Sequence, residues 1–369
     1  MKNFPSFVIK SARVVHKEAA IERPVVTSFG QMTARHAVFL RLESDSSHVG
    51  LGESWVNFPI WAPWERIALF EKALIPYLQT HREVKDIPTY IAALFEAFAG
   101  QARQSGTIAS LIQGICAVEG ALWDVAAREA DMPLCQLLFD QPQQRVQVYG
   151  SGINAPLPFE RIDAYLEKGV TLFKLKIGFG DDADKANLKA LIKHLNGQAE
   201  VMVDVNRKWG FQQALGWLPI LADHGVVWLE EPLTYEDELW IGELQVAKQV
   251  PIAGGENVIT PPGSSIPHLL NFPFDYWQPD VTKYTPLHVA LALNSGADES
   301  GQVDVVPHFL GSGPGLALSL QLAAGCQRGL IELDINPNPL RTELCSEPFE
   351  IVDGAIEISD RPGIGWTVP

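Results

Sequence analysis

Positive charge is scarce in this sequence. Lys and Arg number 28 against 44 Asp and Glu, which gives the 369 residues a formal charge of −16. Contacts to phosphates need clustered basic side chains, and no such cluster is present. The balance argues against nucleic acid and anionic membranes as partners. A small anionic substrate stays compatible with it, because a bound divalent cation can reverse the local field of carboxylates.

Cysteines and long apolar runs are also scarce. The four cysteines are far apart and show no CxxC spacing, which predicts buried free thiols; they are Cys116, Cys135, Cys326 and Cys345. Residues 1–10 lack the basic-then-apolar pattern of a signal peptide, and we find no run of 18 apolar residues that could cross a bilayer. These features predict a cytoplasmic protein.

Two kinds of periodicity are present. Short alternating runs near the N-terminus predict a small antiparallel sheet with strands at Val8–Val15, Ala37–Leu42 and Val49–Ser54. Helical spacing follows from Trp64 to Leu138. The first third is therefore expected to be a sheet followed by helices.

From about Arg145 onward, short apolar or β-branched strands alternate with helical stretches. Eight strands are predicted, at 146–149, 173–177, 201–205, 227–230, 251–254, 276–281, 303–307 and 330–335. Eight βα units close into a barrel. The alternative, an open doubly wound sheet, would need a glycine-rich fingerprint after its first strand, which Val146–Ile153 lacks.

An ionisable residue stands near the end of seven successive strands, at a mean spacing of 26 residues: Lys176, Asp204, Glu230, Glu256, Asp280, His308 and Glu332. The carboxyl-terminal strand ends of such a barrel form one rim. Residues that are distant in sequence are therefore expected to meet around one cavity.

Three of these residues are carboxylates on successive strands. Asp204, Glu230 and Glu256 would repel one another in one cavity unless a hard divalent cation allowed all three to ionise. Magnesium is the economical choice, with water and a substrate carboxylate as further ligands. The alternative is that the three form rim salt bridges with Lys and Arg.

Two lysines lie on the second barrel strand. Lys174 and Lys176 are two residues apart, so both side chains point into the barrel. Their mutual repulsion and partial burial are expected to lower the pKa of one toward neutrality, which makes Lys176, nearer the strand end, a candidate base. The alternative is that the pair only neutralises neighbouring carboxylates.

A second acid–base candidate comes from the next strand ends. Asp280 and His308 could touch across adjacent strands, with the carboxylate orienting the imidazole. Glu332, if kept neutral, could donate a hydrogen bond to a developing enolate oxygen. The alternatives are a structural histidine and a rim salt bridge. Gly311–Gly315, after His308, is compatible with an anion-binding loop or with a plain turn into a helix.

Several motifs together resemble the enolase superfamily and, within it, the mandelate racemase branch. They are Gly52-Glu-Ser, Ala121-Leu-Trp-Asp, Lys174-Leu-Lys, Asp204-Val-Asn206, Leu229-Glu-Glu-Pro, Gly255-Glu-Asn and Gln278-Pro-Asp. The resemblance implies an α/β fold, a (β/α)7β modified TIM barrel with an α+β capping domain. The cap would take residues 1–135, the barrel 136–340, and 341–369 would return to the cap.

The same resemblance implies the roles of the site residues. Asp204, Glu230 and Glu256 would bind Mg²⁺; Lys174, Lys176, Asp280, His308 and Glu332 would be catalytic; Asn206, Thr27, Phe29 and Trp61 would contact substrate. The reaction implied is abstraction of the α-proton from a small carboxylate through a metal-stabilised enediolate. The Trp and Leu content separately predicts association through exposed helices into a homo-oligomer. A hydroxy-acid or sugar-acid dehydratase is favoured over a racemase or epimerase, and a non-catalytic metal-binding barrel is the alternative of another class.

Overall fold

Two sheets organise the chain in the computed structural model, which describes residues 4–26, 30–234, 238–342 and 349–367. The first sheet is antiparallel, in the order β3-β2-β1-β4, with β1 Phe7–Val26, β2 Gln31–Ser44, β3 Val49–Ser54 and β4 Glu83–Val84. The three predicted strands are confirmed. The first is longer than predicted because β1 and β2 continue as a two-stranded ribbon, where less burial is needed and the apolar alternation fades.

Helices follow the sheet, as predicted. They are α1 Ala62–Leu69, a π-helical segment Phe70–Leu74, α2 Ile75–Thr80, α3 Ile87–Ser105, α4 Ile108–Glu129 and α5 Leu134–Leu138. Helix α4 packs on β2 and β3 so closely that a Cβ at Gly52 would lie 1.8 Å from the Ala117 carbonyl oxygen. The close approach explains the glycine in that strand.

Helix α4 is also the one helix among the described residues whose length and apolar composition would allow it to cross a membrane. It is not an uninterrupted apolar run, because it contains Gln113, Glu119 and Asp124. In addition, 83% of its most apolar window is buried inside the protein, as in a core helix.

The second sheet contains the eight predicted barrel strands, in chain order and parallel. They are β5 Arg145–Ile153, β6 Leu172–Lys176, β7 Glu200–Asp204, β8 Leu229–Glu230, β9 Ile252–Gly254, β10 Tyr276–Trp277, β11 Asp304–Val305 and β12 Leu330–Asp334. Strand β12 pairs with β5, which brings the last strand back to the first. Strands β10 and β11 are shorter than predicted because the chain leaves the ladder before the rim residues Asp280 and His308, whereas β8 begins later than predicted and ends at Glu230.

Seven helices join these strands, so the barrel is (β/α)7β as expected. They are α6 Phe159–Leu166, α7 Asp181–Leu195, α8 Phe211–Asp223, α9 Glu238–Ala247, α10 Ile266–Leu270, α11 Leu287–Ser300 and α12 Gly313–Ala323. A four-residue helix, α13 Pro339–Thr342, follows β12. A buried apolar layer fills the barrel below the rim, made of Tyr149, Met202, Trp228, Ala253, Tyr276, Val306 and Leu330.

The C-terminal residues touch both parts of the molecule. A hairpin of β13 Ile351–Val352 and β14 Ala355–Glu357 adds to β5 of the barrel. Beyond it, the Ile364 N–H donates to Asp124 of α4 at 2.9 Å, and Arg128 donates to the Trp366 carbonyl at 2.9 Å. The segment thus ties the capping helix to the barrel.

A buried ion pair also joins the cap to the barrel. Arg35 of β2 donates to Asp334 of β12 at 2.6 Å, and both side chains are almost fully buried. Burial raises the pKa of Asp334, but the guanidinium groups of Arg35 and Arg341 outweigh it and hold the pKa below its usual value. The pair fixes the cap over the last barrel strand.

Cysteines Cys116, Cys135 and Cys326 are free and buried, as predicted. Cys345 lies outside the described residues.

Candidate active site

The rim at the carboxyl ends of the barrel strands borders a cavity of about 240 Å³ beneath the cap. Barrel residues provide most of its lining, including Lys176, Asn206, Arg207, Glu231, Glu256, Asn257, Lys283, Tyr284, His308, Asp334 and Asn336. The cap contributes Val25, Trp55, Phe58 and Pro59. Strand ends and cap together therefore enclose one chemically dense pocket.

The three predicted metal ligands stand at neighbouring strand ends. Asp204 ends β7 and lies beside Glu230, which ends β8. Glu256 follows β9 after Gly255, whose φ is 128° and whose added Cβ would lie 2.4 Å from the Trp277 ring. Only glycine fits this turn, which delivers Glu256 to the cavity.

Each of these carboxylates is paired with a cation of the protein. Asp204 contacts Lys176, and Glu230 contacts Lys174. Glu256 accepts from Lys283 at 2.9 Å and lies 3.1 Å from His308 Nε2. The three carboxylates do not bring one oxygen each within 4.8 Å of the other two.

The charge of the cluster fits a hard divalent cation. Six buried carboxylates, namely Asp204, Glu230, Glu231, Glu256, Asp280 and Glu332, surround four cationic groups, namely Lys174, Lys176, Lys283 and His308. Arg207 also acts on Glu231, so full ionisation of the six carboxylates would leave one negative charge in excess, which a divalent cation would offset. Burial and the neighbouring carboxylates raise the pKa of Glu230 to about 8 and that of Glu231 to about 7. The oxygen-only donor set suits magnesium.

Lys174 and Lys176 differ in what they reach. Lys174 is fully buried beneath the cavity and donates to Glu332 at 2.9 Å, whereas Lys176 lines the cavity itself. Burial lowers the pKa of Lys176, but the Asp204 carboxylate outweighs burial and the charge of Lys174, so the pKa is raised. The prediction that a lysine pKa is lowered is therefore wrong for these protein groups alone. The attraction of the Asp204 carboxylate for Lys176 is stronger than the repulsion between the two ammonium groups.

His308 and Asp280 form the predicted pair. His308 Nδ1 lies 2.9 Å from Asp280 Oδ2, while Oδ1 accepts from the Thr282 N–H at 2.8 Å and from its hydroxyl at 2.6 Å. Burial lowers the pKa of His308, but Glu256, Glu332 and Asp280 together raise it to about 9. The imidazole is therefore protonated at neutral pH, and its Nε2 faces the cavity side.

Glu332 behaves differently from the expectation. It accepts from Lys174, and its Oε2 lies 3.3 Å from His308 Nε2. Burial raises the pKa of Glu332, but Lys174 and His308 lower it below the usual value. The prediction that Glu332 is neutral and donates a hydrogen bond is therefore contradicted, because Lys174 and His308 both contact its carboxylate.

Of the predicted substrate contacts, one lines the cavity, one does not, and two lie outside the described residues. Asn206 lines the cavity and also holds Asp204, through its N–H at 2.8 Å and its side-chain amide at 3.1 Å. Trp61, at the start of α1, is 62% exposed and does not line this cavity. Thr27 and Phe29 lie outside the described residues. Phe58 of the same cap loop reaches the cavity instead of Trp61.

Lys283 is a cavity residue that sequence reasoning missed. Its ammonium donates to Glu256 at 2.9 Å and to the Asn257 side chain at 2.6 Å, and it lies 4.6 Å from the Trp55 ring centre. Burial lowers its pKa, but Glu256 and Glu231 raise it above the usual value. The sequence signal that could have identified Lys283 as a cavity residue is its position three residues after Asp280, at the same strand end.

Three of the seven non-glycine residues with positive φ in the described part of the chain lie at the same rim. Asn206, Arg207 and Glu231 follow β7 and β8 with φ of 49°, 61° and 44°, in the left-handed region that non-glycine residues rarely adopt. The Arg207 N–H donates to the Glu231 carbonyl at 2.7 Å, which links the two turns. Such conformations cluster at functional sites.

The glycine-rich stretch after His308 binds an anion that belongs to the protein itself. Gly313–Ala323 is helix α12, and the N–H groups of Ser312 and Gly315 donate to Glu53 of β3, each at 2.8 Å. The Ser312 hydroxyl adds a third bond at 2.7 Å. The stretch is both a turn into a helix and the anchor of the cap's Glu53 carboxylate.

Comparison with known proteins agrees with this architecture. Residues 9–138 match the mandelate racemase / muconate lactonizing enzyme N-terminal domain, and residues 159–369 match the enolase C-terminal domain-like family. A crystal structure of a mandelate racemase/muconate lactonizing enzyme from Bordetella bronchiseptica RB50 is similar with a TM-score of 0.88 and 30% identity. The similarity covers 99% of this chain and 98% of that one.

Characterised relatives differ in the reaction they catalyse. Arabinonate dehydratase of Saccharolobus solfataricus is 27% identical over 90% of this chain and 88% of its own. D-galactarolactone cycloisomerase of Agrobacterium fabrum is 26% identical over 97% of this chain and 95% of its own.

The fold and the rim thus define an enzyme of the enolase superfamily, a lyase or an isomerase. The chain belongs to the mandelate racemase/muconate lactonizing enzyme family.

Proposed function

We propose that this protein is a Mg²⁺-dependent enzyme that removes the α-proton of a small hydroxycarboxylate and, as a dehydratase, releases water. One observation carries the proposal. Lys176 and His308 line the same cavity from the ends of well-separated strands, and Glu256 follows β9, which lies between those strands. Two proton-transferring groups on different sides of one pocket suit a reaction in which one proton leaves carbon and another is delivered.

Asp204, Glu230 and Glu256 would hold the metal ion. The excess negative charge of the cluster and the raised pKa of Glu230 support this assignment. When bound, Mg²⁺ would neutralise the substrate carboxylate and stabilise the negative charge that develops on its oxygens. Its charge beside Asp204 would also weaken the hold of that carboxylate on Lys176, and so lower the pKa of Lys176 toward that of a usable base.

The two cavity residues then have distinct roles. Neutral Lys176 takes the α-proton, and protonated His308 gives its proton to the β-hydroxyl, so the C–O bond breaks and water leaves. The remaining enol tautomerises to a 2-keto acid. Glu332 and Asp280, which would not hold the metal ion, both raise the pKa of His308, and this supports the acid role. Asp280 keeps the imidazole oriented.

The polar lining supports a polyhydroxylated substrate such as a sugar acid. Four amide side chains line the cavity, from Asn154, Asn206, Asn257 and Asn336, and those of Asn206, Asn257 and Asn336 also donate to neighbouring carboxylates. Amides can donate and accept hydrogen bonds, which matches hydroxyl groups. Trp55 and Phe58 add aromatic surface to this lining. The dehydratase among the relatives acts on such an acid, as its name states.

Racemisation or epimerisation of an α-hydroxy acid is the second candidate. It is favoured by the placement of Lys176 and His308 on different sides of the cavity, since one group could remove the proton and the other return it to the opposite face. In that case no water is lost.

The experiment is incubation with Mg²⁺ in D₂O and a library of α-hydroxy and sugar acids, followed by NMR. Loss of the α-proton signal together with a keto acid is expected, and exchange with inversion would instead support the racemase. Lys10→Ala and His194→Asn, both remote from the cavity, should retain full activity. The proposal would be overturned if the protein binds Mg²⁺ but no acid in the library loses its α-proton or water.

Location and assembly are also proposals. Three free, buried thiols are compatible with a reducing cytoplasm. The exposed apolar side chains Ile60, Trp61 and Trp64 favour a homo-oligomer. Light scattering of the wild type and of Trp61→Ser tests the second point, because loss of this contact should lower the oligomer mass.

A further inference from the structure

A second group of potential metal ligands lies on the cap, away from the barrel rim. His16 and Glu18 are two residues apart on β1, so their side chains point to the same face of the sheet. His36 stands directly opposite Glu18 on β2. Two imidazoles and one carboxylate therefore share one face of two paired strands.

Their ligand atoms are already close together. His16 Nε2 lies 3.1 Å from His36 Nδ1, and His36 Nδ1 lies 4.0 Å from Glu18 Oε2. One ligand atom from each residue falls within 4.8 Å of the other two. Two nitrogens bound to one tetrahedral zinc ion at 2.0–2.1 Å would be about 3.3 Å apart. The two imidazoles are thus near the spacing that zinc requires.

The surroundings allow a cation to enter. The Glu18 side chain is 55% exposed, whereas that of His36 is only 16% exposed. The Trp64 ring packs edge-on against both imidazoles, with centroids 5.6 Å from His36 and 6.2 Å from His16. Partial burial and the neighbouring His36 lower the pKa of His16, which favours the neutral form that a metal ligand must have.

We propose that His16, Glu18 and His36 form a zinc-binding site on the outer face of the cap. Two imidazoles with one carboxylate are a ligand set that zinc favours, and magnesium, which prefers oxygen, does not. The fourth position is left to water or another ligand. A zinc ion here would cross-link β1 to β2, the strands that carry the cap ribbon.

The test counts zinc ions per chain by isothermal titration calorimetry, with metal analysis after gel filtration. Zinc can also occupy carboxylates at the barrel rim, so the informative quantity is the difference between variants. His16→Ala and His36→Ala are each expected to bind one zinc fewer than the wild type. Glu18→Gln should weaken that site by at least the roughly tenfold seen for outer-sphere partners.

His194→Ala is the matched control. His194 also contacts a carboxylate, Asp163 at 2.6 Å, but has no second imidazole beside it, so the variant should bind as many zinc ions as the wild type. Asp204→Asn separates the two regions, since it alters the barrel rim and should leave the cap site intact. Circular dichroism verifies that each variant is folded.

Cobalt gives a second readout. Co²⁺ bound to two imidazoles and one carboxylate in a tetrahedral site should produce visible absorption that His16→Ala removes and His194→Ala retains. The proposal is overturned if His16→Ala and His36→Ala, correctly folded, bind as many zinc ions as the wild type, or if the wild type binds none at this site.

Discussion

The barrel interior contains two layers of side chains with opposite chemistry, only two residues apart along the same strands. The lower layer is apolar and aromatic, and the upper layer is charged. The step between them occurs from Met202 to Asp204, from Trp228 to Glu230, from Val306 to His308 and from Leu330 to Glu332. Because inward-facing residues alternate along a strand, one set of backbone positions supports both layers.

The difference explains the electrostatics of the rim. The apolar layer closes the barrel beneath the charged groups and keeps water away from them, so every charge there depends on its protein neighbours. Burial is accordingly the largest single influence on the pKa of Glu230 and His308. It raises the pKa of Glu230 despite the opposing charge of Lys174, whereas the carboxylates around His308 outweigh it. The lower layer should therefore control stability, and the upper layer activity.

Among substitutions in the two layers, loss of the Asp280 carboxylate is expected to have the largest effect on activity. Asp280→Asn should reduce turnover by about 10²- to 10⁴-fold, because His308 loses the partner that orients it and favours its charged form. The pKa of His308 should fall, so the loss of activity at high pH should begin at a lower pH. A pH–rate profile measures both effects.

Asp304→Asn is the control for that variant. Asp304 lies on the neighbouring strand but pairs with Arg328 at 2.7 Å, away from the cavity. An unchanged pH profile in Asp280→Asn would contradict the proposed role of the pair.

The buried pair between cap and barrel should dominate stability. Arg35→Met leaves Asp334 charged and buried, which should cost about 3–5 kcal/mol of unfolding free energy. Urea unfolding at neutral pH measures the loss. The pKa of Asp334 is lowered in the folded protein, so this contribution should disappear as the pH falls below the usual aspartate range.

Lys10→Met is the comparison for that experiment. Lys10 pairs with Glu43 at 2.7 Å on the same sheet, but its side chain is 53% exposed, so the cost should stay within about 1 kcal/mol. Equal costs for the two variants would show that burial does not distinguish the pairs.

A cavity in the lower layer should reduce stability without touching the chemistry. Met202→Ala removes a fully buried side chain and should cost about 2–5 kcal/mol. Ile60→Ala, at a residue that is 71% exposed, should change stability by less than about 0.5 kcal/mol. Urea unfolding and turnover of the folded fraction are the two measurements. A large loss of turnover with little loss of stability would break the distinction between the layers.

The smallest effect expected is a pH dependence of stability in the metal-free protein. The pKa of Glu230 is raised to about 8, so the folded state holds a proton that the unfolded state has lost between about pH 4.5 and 8. Stability should fall across that range as the pH rises, by on the order of a few kcal/mol at most.

Glu230→Gln should flatten this dependence, and Mg²⁺ should restore stability to the wild type at pH 8. The measurement is urea unfolding with a chelator and with added Mg²⁺. A wild-type curve that rises from pH 5 to pH 8 without metal would contradict the charge excess at the rim.

The sequence predicts the barrel and most rim residues because each depends on local periodicity. The pattern of a strand that ends in an ionisable residue can be recognised in the sequence at Asp204, Glu230 and His308 without knowledge of distant contacts. The ion pair of Arg35 with Asp334 cannot be predicted in this way, because the two residues are 299 positions apart and no local pattern indicates that they are in contact. For the same reason, spacing could identify Lys174 and Lys176 as neighbours but not the carboxylates that raise the pKa of Lys176.

The cap loop illustrates a second limit. Its first aromatic residues, Trp55 and Phe58, line the cavity, whereas Trp61 is exposed, and sequence alone does not show this division.

The most direct test of the catalytic account separates proton removal from water loss. With a substrate found in the library, α-proton exchange in D₂O and keto-acid formation are followed in Lys176→Ala and His308→Asn. The account predicts that Lys176→Ala loses both, whereas His308→Asn still exchanges the α-proton but forms no keto acid. Keto-acid formation by His308→Asn at the wild-type rate, or exchange that survives in Lys176→Ala, would contradict it.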